Sequence, residues 1–177
     1  MVVAKDDVTH AKLAQQFSKR TIDREYWAIV WGRFEGKEAK SGLIEAALGR
    51  SKSDRKKIAV NITGKAAATE YEVLESFEYL SLVRLKLRTG RTHQIRVHLH
   101  HIGHPVFGDP TYGGRRIAWG GTEKKKKEDV QHFLKIINRQ ALHAKTVGFI
   151  HPATKEKMKF ESDLPADMLE VLEVVRG

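Results

Sequence analysis

Two runs of alternating apolar and polar residues stand out in the middle of the chain. In TEYEVLESFEYLSLVRLKLRTG (residues 69–90), Tyr71 and Val73, then Val83, Leu85 and Leu87, recur at period two. Only a strand places such positions on one face, so the stretch predicts two paired antiparallel strands. YWAIVWG (26–32) is aromatic and β-branched up to a glycine and predicts another strand, as does KKIAVNIT (56–63). ALHAKTVGFIHPATKEKMKFES (141–162) predicts a hairpin turning at His-Pro-Ala-Thr-Lys. MVVA, at the start, reads as the end of a strand.

The period changes to a helical one in three places. Ala11, Leu13, Ala14 and Phe17 predict a helix over Val8–Arg20, capped by Asp6 or Asp7, with Lys19 and Arg20 in its last turn. Ile95, Leu99 and Ile102 lie at i, i+4 and i+7; Thr92 can cap that helix, and Gly103 followed by Pro105 ends it. LPADMLEVLEVVR closes the chain as a helix with Pro165 near its first turn. Residues 114–131, glycines followed by a lysine run without period, predict a mobile basic loop. Neither a repeat nor a linker divides the chain, so residues 1–177 read as one domain.

Charge narrows the partners. Thirty-two Lys and Arg against 22 Asp and Glu give a formal +10, the profile of a protein that meets a polyanion. Nucleic acid leads. No apolar run is long enough to span a bilayer, and MVVAKDD is no signal peptide, so no membrane partner and a cytoplasmic location are expected. The absence of cysteine removes thiol nucleophiles and every Cys-based metal site.

Several chemistries fail on spacing. ITGKAAAT (62–69) lacks the first Gly and the Ser or Thr of a P-loop, Ala59 and Ala66 standing there instead, and no GxSxG is present. Residues 87–114 hold five of the nine histidines, which invites a metal reading. His100 and His104 have the right separation, but Gly103 ends the helix between them and no HExxH appears. No metal is expected. On that helix His93, Arg96 and His100 share a face away from the apolar stripe, with Arg91 at its start, where backbone N–H groups attract anions. From these residues alone, the face is equally an anion grip and an ordinary solvated surface.

A longer pattern decides between them. RTGRTHQIRVHLHHIGHPVFGDPTYG (88–113) resembles the signature block of the RluA/RluD-type RNA pseudouridine synthases. VVAKDDVTHAKLAQQFSKRTIDREYWAIVWG, GKAAATEYEVLE and RQALHAKTVGFIHPATKEKMKFESDLPADM follow the same family's order and spacing, so only the lysine-rich loop falls outside. The resemblance implies an α+β catalytic domain, a mixed, mainly antiparallel sheet flanked by helices. It implies isomerisation of specific uridines to pseudouridine in ribosomal, or transfer, RNA, with no cofactor and no metal. By resemblance Arg96 is the cation paired with the catalytic Asp, and Tyr26 the aromatic that stacks on the target base. Arg91, Thr92, His93 and His100 are expected to bind RNA.

One departure matters. The family's nucleophilic Asp lies in HRLDxxTSG, a few residues before the VVA stretch, and that motif is absent from these 177 residues. Asp6 and Asp7 follow VVA and do not substitute for it. The expectation is therefore an N-terminally truncated domain, inactive alone, whose missing partner is the preceding segment of the same protein. The alternative is a non-catalytic RNA-binding remnant.

Overall fold

The computed structural model describes residues 2–36, 39–116 and 124–177. Helix α1 spans Asp7–Ser18; strands β1 to β6 are Asp23–Trp31, Ser41–Glu45, Leu48–Arg50, Ile58–Val60, Ala68–Ser76 and Leu80–Leu87. Helices α2 (Gln94–His101) and α3 (Lys124–Ile136), strands β7 (Leu142–Ile150) and β8 (Lys157–Glu161), and helix α4 (Ala166–Arg176) complete the chain. The main sheet has the order β2-β5-β6-β1-β7-β8, and β3 pairs with β4 in a separate two-stranded ribbon. Every pairing among these strands is antiparallel.

Strand β1 is the axis of the sheet. Ala28, Ile29, Val30 and Trp31 are consecutive and all fully buried, so the strand is covered on both faces near its end, which explains why YWAIVW is a continuous apolar run. The β5–β6 pairing carries the alternation through Tyr71↔Leu85 and Val73↔Val83. Ile95 and Leu99 of α2, Val130 and Phe133 of α3, and Met168, Val171 and Leu172 of α4 join the same core. Helix α1 belongs to a satellite cluster of Leu13, Ile22 and Phe149. Gln16 clamps it to β7 by donating to the Ile150 carbonyl (2.7 Å) and accepting from the Ile150 N–H (2.9 Å).

The segment after α2 is sewn onto β1 as though it were another strand. Trp31 N–H donates to Pro105 O (3.0 Å), Phe107 N–H to Ile29 O (2.9 Å), and Ala141 N–H to Phe107 O (2.8 Å). Gly108 N–H closes the loop on Gly114 O (3.0 Å), and the Trp31 indole also donates to that carbonyl (2.7 Å). Glycine is required at both ends of this closure: Gly108 has φ +74°, and a Cβ on Gly114 would collide with the Val106 carbonyl.

Some expectations need correction. Residues 2–4 form no strand. Lys19 and Arg20 lie past the end of α1 rather than in its last turn, and β2 and β3 carry no pattern that predicts them; Pro165, expected near the first turn of α4, is its N-cap residue. The loop expected over 114–131 gives way to helix α3 from Lys124; residues 117–123 lie outside the described residues. Four lysines in a row hid that helix, but Val130, Phe133, Leu134 and Ile137 repeat at i, i+3, i+4 and i+7 and are all buried. Arg115 supports its end, donating to the carbonyls of Leu134 (2.8 Å) and Ile137 (3.2 Å).

If α3 is part of the core, Phe133→Ala should cost about 3–5 kcal/mol of unfolding free energy. Urea unfolding checks this; a loss under about 1 kcal/mol would show that α3 is not packed.

Candidate active site

Helix α2 is wedged between the main sheet and the β3–β4 ribbon, so residues on most of its sides are buried. Ile95 and Leu99 enter the main core; Val97 packs with Leu48, Ala67 and Tyr112. Its N-terminal cap is His93, in the left-handed region at φ +55° and without a side-chain cap bond. Thr92 is exposed and does not cap the helix.

Arg96 projects from α2 onto Asp109, which the glycine-closed loop carries. The contact is bidentate, Nε to Oδ2 at 2.6 Å and Nη2 to Oδ1 at 2.7 Å, and the Asp109 side chain is fully buried. Asp109 Oδ1 also accepts from the N–H groups of Thr111 (2.8 Å) and Tyr112 (3.1 Å). Burial pushes the Asp109 carboxyl up, yet the Arg96 guanidinium and the two N–H groups outweigh it and hold it below the usual range. The Tyr112 turn swings the phenol ring under Arg96, 4.8 Å from guanidinium carbon to centroid. The Tyr112 hydroxyl then accepts from Ile58 N–H (3.2 Å) and bonds His93 Nδ1 (2.9 Å). Arg96, Asp109, Tyr112 and His93 thus tie α2, the loop and the ribbon together.

Only two of Arg96's five N–H bonds go to Asp109, so one edge of the guanidinium is anchored and the remainder can bind a second oxyanion. The His93 ring meets Tyr112 edge-on, and His100 lines a neighbouring cavity with Tyr112. Burial, then the Arg96 charge, lowers the His93 pKa, which favours a neutral ring at neutral pH.

Beside this cluster runs a groove of about 690 Å³ lined by Arg50, Arg55, Lys56, Lys65 and Arg91, with Thr92 and His93. None of those five cations is paired with a carboxylate among the described residues. The groove therefore carries a strong local positive field. Tyr26 is elsewhere, in a cavity of about 580 Å³ with Phe17, Arg24, Lys145 and Phe160. A β-bulge sits there: Glu25 faces Thr146 while Tyr26 faces Ala144, leaving Lys145 as the extra residue. The structure thus brings Arg91, Thr92 and His93 into one groove with Arg96 behind them. It joins Tyr26 to Arg96 by no hydrogen bond or ring contact among the described residues.

Sequence reasoning missed Asp109 as the partner of Arg96. It also missed a buried network that fixes the start of α2. The Arg91 N–H donates to Gln94 Oε1 (3.0 Å), as does the Thr89 hydroxyl (2.7 Å), while Gln94 Nε2 donates to Ala68 O and Thr69 Oγ1, both at 3.0 Å. His98 Nε2 meets the Ala46 carbonyl (3.0 Å), which can only accept, so that nitrogen carries the proton and Nδ1 accepts from Thr69 Oγ1 (2.9 Å). The histidines are thereby sorted. His98 is a neutral core group, and His104 stacks on Phe34 and donates to Trp31 O (2.8 Å). No group of three or more His, Asp or Glu positioned for a metal occurs among the described residues.

Burial holds the His98 pKa below 6.5. The unfolded chain therefore takes up a proton that the folded one refuses, and stability should be fullest above about pH 6.5 and fall as pH drops from there towards the folded value. Asp109 adds a loss in the same direction once pH falls below about 3.8. Urea unfolding from pH 7.5 to 5 should show the first decline, and His98→Gln should flatten it. An equal slope in that variant would remove His98 from the account.

The model of the family described as RNA pseudouridylate synthase matches residues 1–101. An uncharacterized RNA pseudouridine synthase of Chlorobaculum parvum is 43% identical over 183 residues, covering 99% of this chain and 54% of that protein. The ribosomal large subunit pseudouridine synthase D of Pseudomonas aeruginosa is 45% identical over 177 residues, covering 99% and 52%. The chain spans about half the length of the curated relatives it matches. Among solved structures, human RNA pseudouridylate synthase domain containing 4 superposes with a TM-score of 0.76 at 25% identity, covering 99% of this chain and 70% of that one. Signature block, antiparallel sheet and family model agree, and the chain belongs to the RNA pseudouridylate synthase family, in its RluA/RluD branch.

Proposed function

We propose that this chain is the greater part of a catalytic domain that isomerises uridines of large-subunit ribosomal RNA to pseudouridine, in the cytoplasm. The observation that carries the reading is the anchored Arg96. Its guanidinium is fixed on one edge by a buried carboxylate and keeps N–H donors for a second, beside a groove of unpaired cations that suits an RNA backbone. The ribosomal substrate rests on the name of the Pseudomonas aeruginosa relative.

The reaction breaks the bond from ribose C1′ to uracil N1, turns the base, and joins C1′ to C5. The proton on C5 leaves and N1 ends protonated, so atoms balance without redox chemistry. A carboxylate that initiates this must stay ionised at neutral pH, and a guanidinium in hydrogen-bond contact secures that. Arg96 supplies the guanidinium, Asp109 sets its orientation, and Tyr26 stacks on the displaced base. Arg91, Thr92, His93 and His100 bind RNA around it. The nucleophilic Asp belongs to an HRLDxxTSG motif not found in these 177 residues, so the chain alone should bind RNA without converting it.

The test uses the 177-residue chain and a version preceded by the segment carrying HRLDxxTSG, each incubated with ribosomal RNA. Pseudouridine should form only with the extended protein, and Arg96→Ala in that protein should lower turnover about 100-fold or more while its melting curve stays cooperative. An extended protein that binds RNA yet makes no pseudouridine would favour the non-catalytic remnant. Near-normal turnover of Arg96→Ala would remove Arg96 from the chemistry.

A further inference from the structure

Arg24 and Tyr26 are two residues apart on β1, so their side chains share a face, and both line the 580 Å³ cavity. Two cations reach that cavity, and their situations differ. Lys145 is satisfied: it pairs with Glu161 (2.7 Å), donates to Ser162 O (3.0 Å) and lies over the Trp27 ring. Arg24 has no carboxylate partner among the described residues, and its Nε–H is buried with no hydrogen-bond acceptor among them. The acidic neighbour at Glu25 is engaged by the Trp27 indole (2.9 Å).

A buried N–H left unmade is rare in a folded protein and marks a place where an acceptor belongs. The guanidinium is also held in position before any acceptor arrives. Its carbon lies 5.6 Å from the Phe17 ring centroid, and Nη2 lies 3.4 Å from where a Cβ on residue 90 would stand. Gly90 is itself a lining residue of the cationic groove, next to Arg91, Thr92 and His93. Gly90 therefore stands between Arg24, a lining residue of the Tyr26 cavity, and the cationic groove, and with no side chain it lets the guanidinium approach its backbone. Apolar walls at Phe17, Val147, Phe149 and Phe160 surround an aromatic platform on one side of Arg24, and a row of unpaired cations lies on the other.

We propose that Arg24 binds a backbone phosphate of the nucleotide whose base is delivered to Tyr26, its guanidinium taking two phosphate oxygens where the RNA strand passes Gly90 from groove to cavity. The planar fork suits bidentate capture of a phosphate, and stacking on Phe17 limits its rotation. This deepens the reading above and rests on it, since it takes Tyr26 as the seat of the target base. Arg24 acts here as a positioning residue for the substrate strand, distinct from Arg96, which Asp109 anchors through two of its donors.

The experiment measures binding of the 177-residue chain to a fluorescein-labelled single-stranded RNA of about twenty nucleotides, as a function of potassium chloride. Wild type is compared with Arg24→Gln and with Arg24→Met, which keeps an apolar stem against Phe17 if the first variant folds poorly. Loss of one phosphate contact should reduce the slope of log affinity against log salt by about one, with affinity lowered about three- to tenfold at low salt. A scan of single neutral methylphosphonates along the RNA should find one position that weakens wild type and leaves the Arg24 variants unaffected. If wild type and variants share the same slope and the same penalty at every position, Arg24 holds no phosphate and the proposal fails while RNA binding stands. If wild type itself shows no salt-dependent binding, the functional reading fails first.

Discussion

The buried contact of Arg96 with Asp109 is the constraint around which the site is organised. A carboxylate with no exposed surface is tolerated only with a full set of partners, and Asp109 has four hydrogen bonds: two from the guanidinium and two from backbone N–H groups. Those N–H groups belong to the turn that aims Tyr112, and Tyr112 reaches both His93 on α2 and Ile58 on the ribbon. The loop can present Asp109 because Gly108 and Gly114 let it close tightly and because the backbone and indole of Trp31 hold it to β1. The chain of dependence therefore runs from the central strand, through a glycine-closed loop, to the orientation of one arginine.

Much of the fold was legible in sequence, for a physical reason. Strands β1, β5, β6 and β7 are central and long, so their period-two or continuous apolar patterns are strong; β2 and β3 are short and their residues reach the surface, and they carried no such signal. Helix α3 was masked by its lysines although its apolar spacing was intact. The family resemblance pointed to Arg96 and Tyr26, and the structure gives each a defined setting. What could not be read was pairing across the loop. Asp109 stands 13 positions from Arg96, beyond any local periodicity, and the one available signal was a lone acidic residue in a turn rich in Gly and Pro.

The five histidines of the signature segment separate along the same line between core and surface. His98 and His104 are buried with fixed tautomers, one tying α2 to β5 and the other tying the loop to β1. His93, His100 and His101 are exposed. The groove cations that lack a carboxylate partner among the described residues stay at the surface, available to a polyanion.

The central claim is that Asp109 fixes Arg96 energetically, beyond mere contact. A double-mutant cycle in urea unfolding, using Arg96→Gln, Asp109→Asn and the pair together, measures this directly. Removing either partner strands the other, so each single change should cost about 3–5 kcal/mol, and the double change should cost much less than their sum, a coupling of about 2–3 kcal/mol. Additive losses would contradict the account, because Arg96 would then owe its orientation to something other than Asp109.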